Sequence, residues 1–152
     1  MKRAHLLAAA IAALLGALAC SEPTSGPARV VFGRHACDQC AMAISDPRYA
    51  AQIRTGPRDV ARFDDFGCAV LWLEAHGGLE AAQEIWAMDS QSSDAQRESW
   101  LDARRAHFRS DQRTPMAYGW AAVARAGPDT ADFDAARRAI LEHQRERDAH
   151  GR

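Results

Sequence analysis

At 152 residues, with 47% hydrophobic and 26% charged positions, the chain has the make-up of an ordinary globular protein. Four Trp, five Phe and two Tyr supply enough apolar bulk for a core, which excludes disorder as the main state. The net charge is −1, and −3 once Lys2 and Arg3 at the front are set aside; a mildly acidic body without a basic run excludes nucleic acid as the main partner.

Residues 1–19 read as a secretory signal. A short cationic start precedes an unbroken apolar run from Leu6 to Ala19, too short to cross roughly 30 Å of bilayer as a mature helix. Ala17-Leu18-Ala19-Cys20 resembles a lipobox, so Cys20 is expected to carry lipid after cleavage; ordinary small-x-small cleavage is the alternative. Residues 20–28 then form a lipid anchor and a polar, Pro- and Gly-containing flexible tether. The expected location is outside the cytoplasm, facing the periplasm from a bacterial membrane and, of the two, the outer one.

The body, 29–152, reads as α+β in two small halves, about 29–78 and 79–152. Val30-Val31-Phe32 suggests a first strand. Ala50–Arg54 and Val60–Asp64 alternate apolar with polar residues around the turn-rich Thr55–Asp59, which predicts a hairpin. Asp65 is placed to cap a largely apolar helix from Phe66 to His76, ended by Gly77-Gly78. Glu84–Asp89 predicts a strand, Gln91–Glu98 a loop, and Ser99–Arg109 and Tyr118–Arg125 two further strands. The last helix, about Thr130 to Arg147, puts Phe133, Ala136, Ile140 and Gln144 on one stripe. Each half thus runs strands first and a helix last.

Cys37-Asp38-Gln39-Cys40-Ala41-Met42 is the most informative segment: two thiols and a thioether within six residues, with His35 two positions earlier. Soft sulfur donors favour Cu(I) over hard ions, and the Met tilts the choice away from Zn²⁺. Three other readings stay open for Cys37 and Cys40. They could form a structural disulfide, a thioredoxin-like redox pair, or half of a zinc site with Cys68 and His76. Ser45-Asp46-Pro47 leaves little room for the helix a redox pair needs. Met116, in the turn-forming Thr114–Gly119, is a further possible donor, whereas Met88 reads as core; Cys68 reads as core beside Trp72 or, if exposed at the helix start, as a reactive thiol. Of Asp64 and Asp65, one is most economically the helix cap. No triad, phosphate loop or nucleotide fingerprint is present, so no enzyme is expected.

Taken in order, the lipoprotein signal, Cys37-x-x-Cys40-x-Met42, Asp46–Ile53, Phe63-Asp64-Asp65-Phe66-Gly67-Cys68, Trp100-x-Asp102-Ala103 and Pro115-Met116-x-Tyr118-Gly119 resemble the NosL family of copper-binding lipoproteins. The likeness spans roughly Phe32 to Arg125. It implies an organomercurial-lyase-like fold of two strand–strand–helix–strand units, and one Cu(I) held for delivery to nitrous-oxide reductase or a related periplasmic copper enzyme. Delivery would run through a membrane ABC-type complex. By the same resemblance Cys37, Cys40, Met42 and Met116 are the candidate donors, with His35 fixed by no motif. Where the family often has Gly, this chain has Ala41 and Ala117, which restricts positive φ. The rivals from other classes are a thiol–disulfide oxidoreductase using Cys37 and Cys40, and a metal-free assembly lipoprotein with a structural disulfide.

Overall fold

A computed structural model describes residues 23–92 and 99–151. The signal segment and Cys20 lie outside the described residues, as does most of the Gln91–Glu98 loop. The architecture is α+β, two small antiparallel sheets with two helices, as the pattern predicts. The first sheet has the order β2-β1-β3-β4, from β1 (Ala51–Arg54), β2 (Val60–Phe63), β3 (Glu84–Met88) and β4 (Trp100–Asp102). The second has the order β6-β5-β7, from β5 (His107–Arg109), β6 (Ala121–Val123) and β7 (Thr130–Ala131). Helix α1 (Phe66–Ala75) follows the hairpin and α2 (Phe133–His150) closes the chain. No helix among the described residues is long and apolar enough to cross a membrane.

The hairpin forms in the expected place, with Ala51 opposite Phe63 and Arg54 opposite Val60. Asp65 caps α1 by accepting the Gly67 N–H at 2.8 Å, and Gly77, at φ +97°, turns the chain out of the helix. Apolar residues from β1, β3 and α1 fill the core between sheet and helix, including Ile53, Phe63, Leu73 and Ile85. The rings of Phe66, Phe108 and Phe133, with centroids 4.4 to 6.3 Å apart, join α1 and α2 to the second sheet. Met88 is core, as read.

Several expected elements come out differently. Val30–Phe32 is not a strand: the Val31 carbonyl accepts from both Arg34 and His35 N–H, and Gly33 at φ +75° bends the segment. Ser99–Arg109 is two strands in two sheets, because Asp102 makes a turn, its carboxylate accepting the Arg104 N–H at 3.1 Å and its carbonyl those of Arg105 and Ala106. Only Ala121–Val123 of Tyr118–Arg125 is strand. The last helix begins after Asp132, which caps it through the Ala135 N–H; Thr130 belongs to β7. The first unit does run strand–strand–helix–strand, but β3 and β4, which follow residue 78, join the first sheet, so the sheets divide between β4 and β5.

The stretch 23–28, expected in a flexible tether, is strapped across the first sheet. Gln52 and Arg54 project from one face of the central strand, where water would leave them cheap but burial demands partners. The Gln52 amide makes two 2.8 Å bonds with the Ala28 backbone. The Arg54 guanidinium donates to the carbonyls of Pro23, Gly26 and Pro57 and pairs with Glu84, which in turn accepts the Gly26 N–H at 2.8 Å. Gln52 and Arg54 are 0% and 2% exposed, so the strap completes the fold.

Candidate metal centre

The Cys37–Cys40 loop is a tight reversal stitched to an edge strand. Ala36 and Ala43 form an antiparallel bridge, and inside it Cys37 N–H donates to Met42 O at 2.7 Å and Ala41 N–H to Cys37 O at 2.9 Å. Because β2 is at the sheet edge, its outward backbone groups are available. Asp38 takes them: its N–H donates to Arg62 O at 2.9 Å and its carboxylate accepts the Arg62 N–H at 2.6 Å. The reversal forces Ala41 to φ +62°, a region that a Gly would occupy without strain. Cys37 is thereby turned inward, Cys40 is half-buried, and Met42 is left 54% exposed.

The first turn of α1 meets this loop. Asp65 is spent on the cap, which leaves Asp64 free to face the thiols. Cys68, three residues after the cap, comes round to the same side of the helix. One donor atom each from Cys37, Cys40, Asp64 and Cys68 lies within 4.8 Å of all the others. Four donors held tetrahedrally at about 2.3 Å from a common ion stand about 3.8 Å apart. The widest pair must therefore close by up to about 1 Å for the four to share a metal, and three of them are soft.

The protons are unequally held. The Cys68 thiol, hydrogen-bonded to Cys37, lowers the Cys37 pKa to about 6, with backbone N–H groups of Cys40 and Asp64 helping against burial. Burial raises Cys40 to about 11, and its thiol donates to Asp64 Oδ1 at 3.5 Å. Cys68 is pushed well above the ordinary thiol range, first by its bond to Cys37 and then by burial and the neighbouring thiolate. Of the three, Cys37 is the thiol that gives up its proton most readily.

Met116 lies against the other side of the same helix start. Asp65 Oδ2 accepts the Met116 N–H at 2.9 Å, so one buried carboxylate ties the cap to the Thr114–Gly119 loop; burial raises its pKa. Gly67 lets the loop approach, since a Cβ there would fall 2.1 Å from the Tyr118 ring. From outside, Arg147 donates to Met116 O at 3.3 Å and covers the Tyr118 ring, whose hydroxyl donates to Gln144. Ala117, at φ +59°, repeats the strain of Ala41.

Of the candidate donors, the structure groups Cys37 and Cys40 directly and brings the Met116 loop onto the helix turn that bears Cys68. Met42 projects outward from the Cys loop. His35 is not in the cluster; its Nδ1 accepts the Val31 N–H at 3.2 Å, a local turn bond that puts the ring proton on Nε2. His76, offered as a partner of Cys68 for zinc, sits at the far end of α1, stacked on Trp72 at 4.0 Å. Asp64 takes that place. Sequence reasoning read Cys68 first as core, with a zinc site beside His76 as an alternative, and gave Asp64 no role beyond a share in capping the helix. The available signal was the doubled Asp before a helix: only one can cap it.

Two requirements of a thiol-exchange site are not met. No helix starts at Cys37, where residues 38–40 form a turn, and the low-pKa sulfur is only 2% exposed. The three thiols Cys37, Cys40 and Cys68 are unpaired.

Compared by sequence, the chain matches no family model and no curated protein. Its fold is nevertheless similar to that of the copper chaperone NosL from Shewanella denitrificans, with a TM-score of 0.55 over 78% of this chain and 88% of that one, at 16% identity. The two share an α+β architecture.

Proposed function

We propose that this protein is an extracytoplasmic, lipid-anchored carrier of Cu(I), not an enzyme, and that it hands the ion to the maturation machinery of a copper enzyme. The observation that supports this reading is the convergence of Cys37, Cys40 and Cys68 with Asp64, in a fold similar to that of a copper chaperone. Copper is the cargo. Three thiolates satisfy a soft monovalent ion, and Asp64, which accepts the Cys40 thiol hydrogen bond in the metal-free state, lines the same site. Cys37 and Cys68 are 2% and 1% exposed, so exchange runs through the half-buried Cys40, beside the exposed thioether of Met42. An acceptor ligand approaching there meets the weakest-shielded bond first, and the ion moves by stepwise replacement. Met42 and Met116 serve as sulfur donors during uptake or release. Nitrous-oxide reductase, reached through an ABC-type membrane complex, is the proposed client.

Asp64 also supports a second reading, since three Cys and one carboxylate make a tetrahedral set that suits Zn²⁺. Anaerobic competition of the reduced protein against chromophoric chelators for Cu(I) and for Zn²⁺ separates the two. The carrier reading expects one tight Cu(I) equivalent, returned to an excess of chelator and lost with Cys40→Ser. Failure to hold Cu(I), or retention of Zn²⁺ alone, would end it.

A further inference from the structure

The strap and the metal centre lie at opposite ends of the first sheet. Arg54, which holds the Pro23 and Gly26 carbonyls, is the last residue of β1, next to the Thr55–Asp59 turn, where it also binds Pro57 O at 2.8 Å. Asp64 follows Phe63 at the other end of β2, opposite Ala51. From Val60 to Phe63 the strand rises about 10 Å. Asp64 therefore stands at least that far from the turn along the sheet axis, with the Cys37–Met42 loop bonded beside Arg62.

Only three peptide steps separate Cys20 from Pro23, a reach of about 11 Å at full extension. Downstream of Pro23 there is no slack, because Gly26 and Ala28 are bonded to Glu84, Arg54 and Gln52, two of them fully buried. A chain fixed at Cys20 cannot use residues 23–28 as a spacer. The end of the molecule where Pro23 is held is therefore the end kept nearest the anchor.

We infer that the anchored protein seats the Thr55–Asp59 turn against the lipid bilayer and points the metal centre away from it, toward the aqueous compartment. The inference rests on lipidation of Cys20, part of the function proposed above. The partner on the turn side is the headgroup surface of the bilayer that holds the acyl chains. Exposed Pro57, Arg58 and Asp59 suit that contact: Arg58 and Asp59 are charged, and the Pro57 ring is too small to anchor itself in the acyl region. The copper-exchange edge at Cys40 and Met42 is then open to a soluble or domain-sized partner without lifting the protein from the membrane.

The test uses the full, lipidated chain in phosphatidylcholine–phosphatidylglycerol vesicles. An azide-bearing residue is introduced at Arg58, in the turn, or at Pro115, beside Met116, and coupled to a donor dye; a trace of acceptor-labelled lipid reports proximity. Energy transfer several-fold more efficient from position 58 than from 115 is expected, and the difference should collapse when a ten-residue Gly-Ser segment is inserted before Pro23. Equal or reversed transfer in protein whose mass carries the lipid overturns the orientation while leaving the anchor intact. So does a difference that survives the insertion unchanged. Protein lacking the lipid mass overturns the anchored reading itself, and the orientation with it.

Discussion

The two loops that carry the candidate sulfur atoms are built by opposite means. The Cys37–Met42 loop is held by backbone pairing, as an added rung on the edge of β2, and it presents titratable thiols to Asp64. The Thr114–Gly119 loop is held by side chains of two helices, Asp65 from below and Arg147 with Gln144 from above, and its sulfur cannot titrate. Adjacent carboxylates at the start of α1 divide the work: Asp64 serves one loop and Asp65 the other. The difference teaches that the first loop is the titrating, chemical half of the site and the second its wall, whose Met116 thioether takes part only in transfer.

The largest effect expected from that division is on pH dependence. With Cys37 already ionised above pH about 6, and Cys40 and Cys68 protonated, Cu(I) binding at neutral pH displaces two protons. Affinity should rise about a hundredfold per pH unit between 6 and 9, read by chelator competition or proton release. Thioether coordination in place of Cys40 and Cys68 would flatten the slope. Stability of the apoprotein follows from the same groups. The depressed Cys37 releases its proton on folding, so its contribution is complete above the unfolded value of 9.0 and is lost as pH falls toward 6. Above pH 9 the raised Cys40 acts in reverse, its stabilisation lost toward pH 11. Denaturant midpoints should peak near pH 9.

Gly67→Ala should break the wall and spare the chemistry. The new methyl meets Tyr118, and a cost of about 3 kcal/mol is expected in denaturant unfolding. In the fraction that folds, Cu(I) affinity should fall far less than stability. Somewhat smaller, Asp65→Ala loses the cap and orphans the Met116 N–H, together about 2 kcal/mol. Asp64→Asn is the converse. It should leave stability nearly intact but weaken Cu(I) binding roughly tenfold to a hundredfold, the usual cost of altering a group around a metal. Smallest and most symmetrical are Ala41→Gly and Ala117→Gly. Each relieves positive φ at an exposed residue and should stabilise by roughly 0.5–1 kcal/mol after the extra unfolded-state entropy is deducted.

Much of the fold was legible because local signals agreed: alternation around Thr55–Asp59 marked the hairpin, and Asp65 and Gly77 bracketed α1. Strand limits after residue 99 were less so. There the turn at Asp102 and the positive φ of Gly119 interrupt segments read as continuous strands, and pairing partners far along the chain decide where a strand stops. The strap was hidden for a related reason. Gln52 and Arg54 look like a solvated face until a distant backbone covers them. At the site, Cys37 and Cys40 announce themselves by spacing, whereas Cys68 sits in a helix apolar on nearly every side, where a buried donor and a core residue look alike. Only the packing of α1 against the Cys loop separates them.

Copper X-ray absorption on the Cu(I)-loaded protein tests the central claim most directly. Three sulfur scatterers are expected, falling to two in Cys68→Ser and unchanged in Met116→Leu. A spectrum indifferent to Cys68→Ser, or one that loses its sulfur with Met116→Leu, would contradict the assignment of the site to the three thiols.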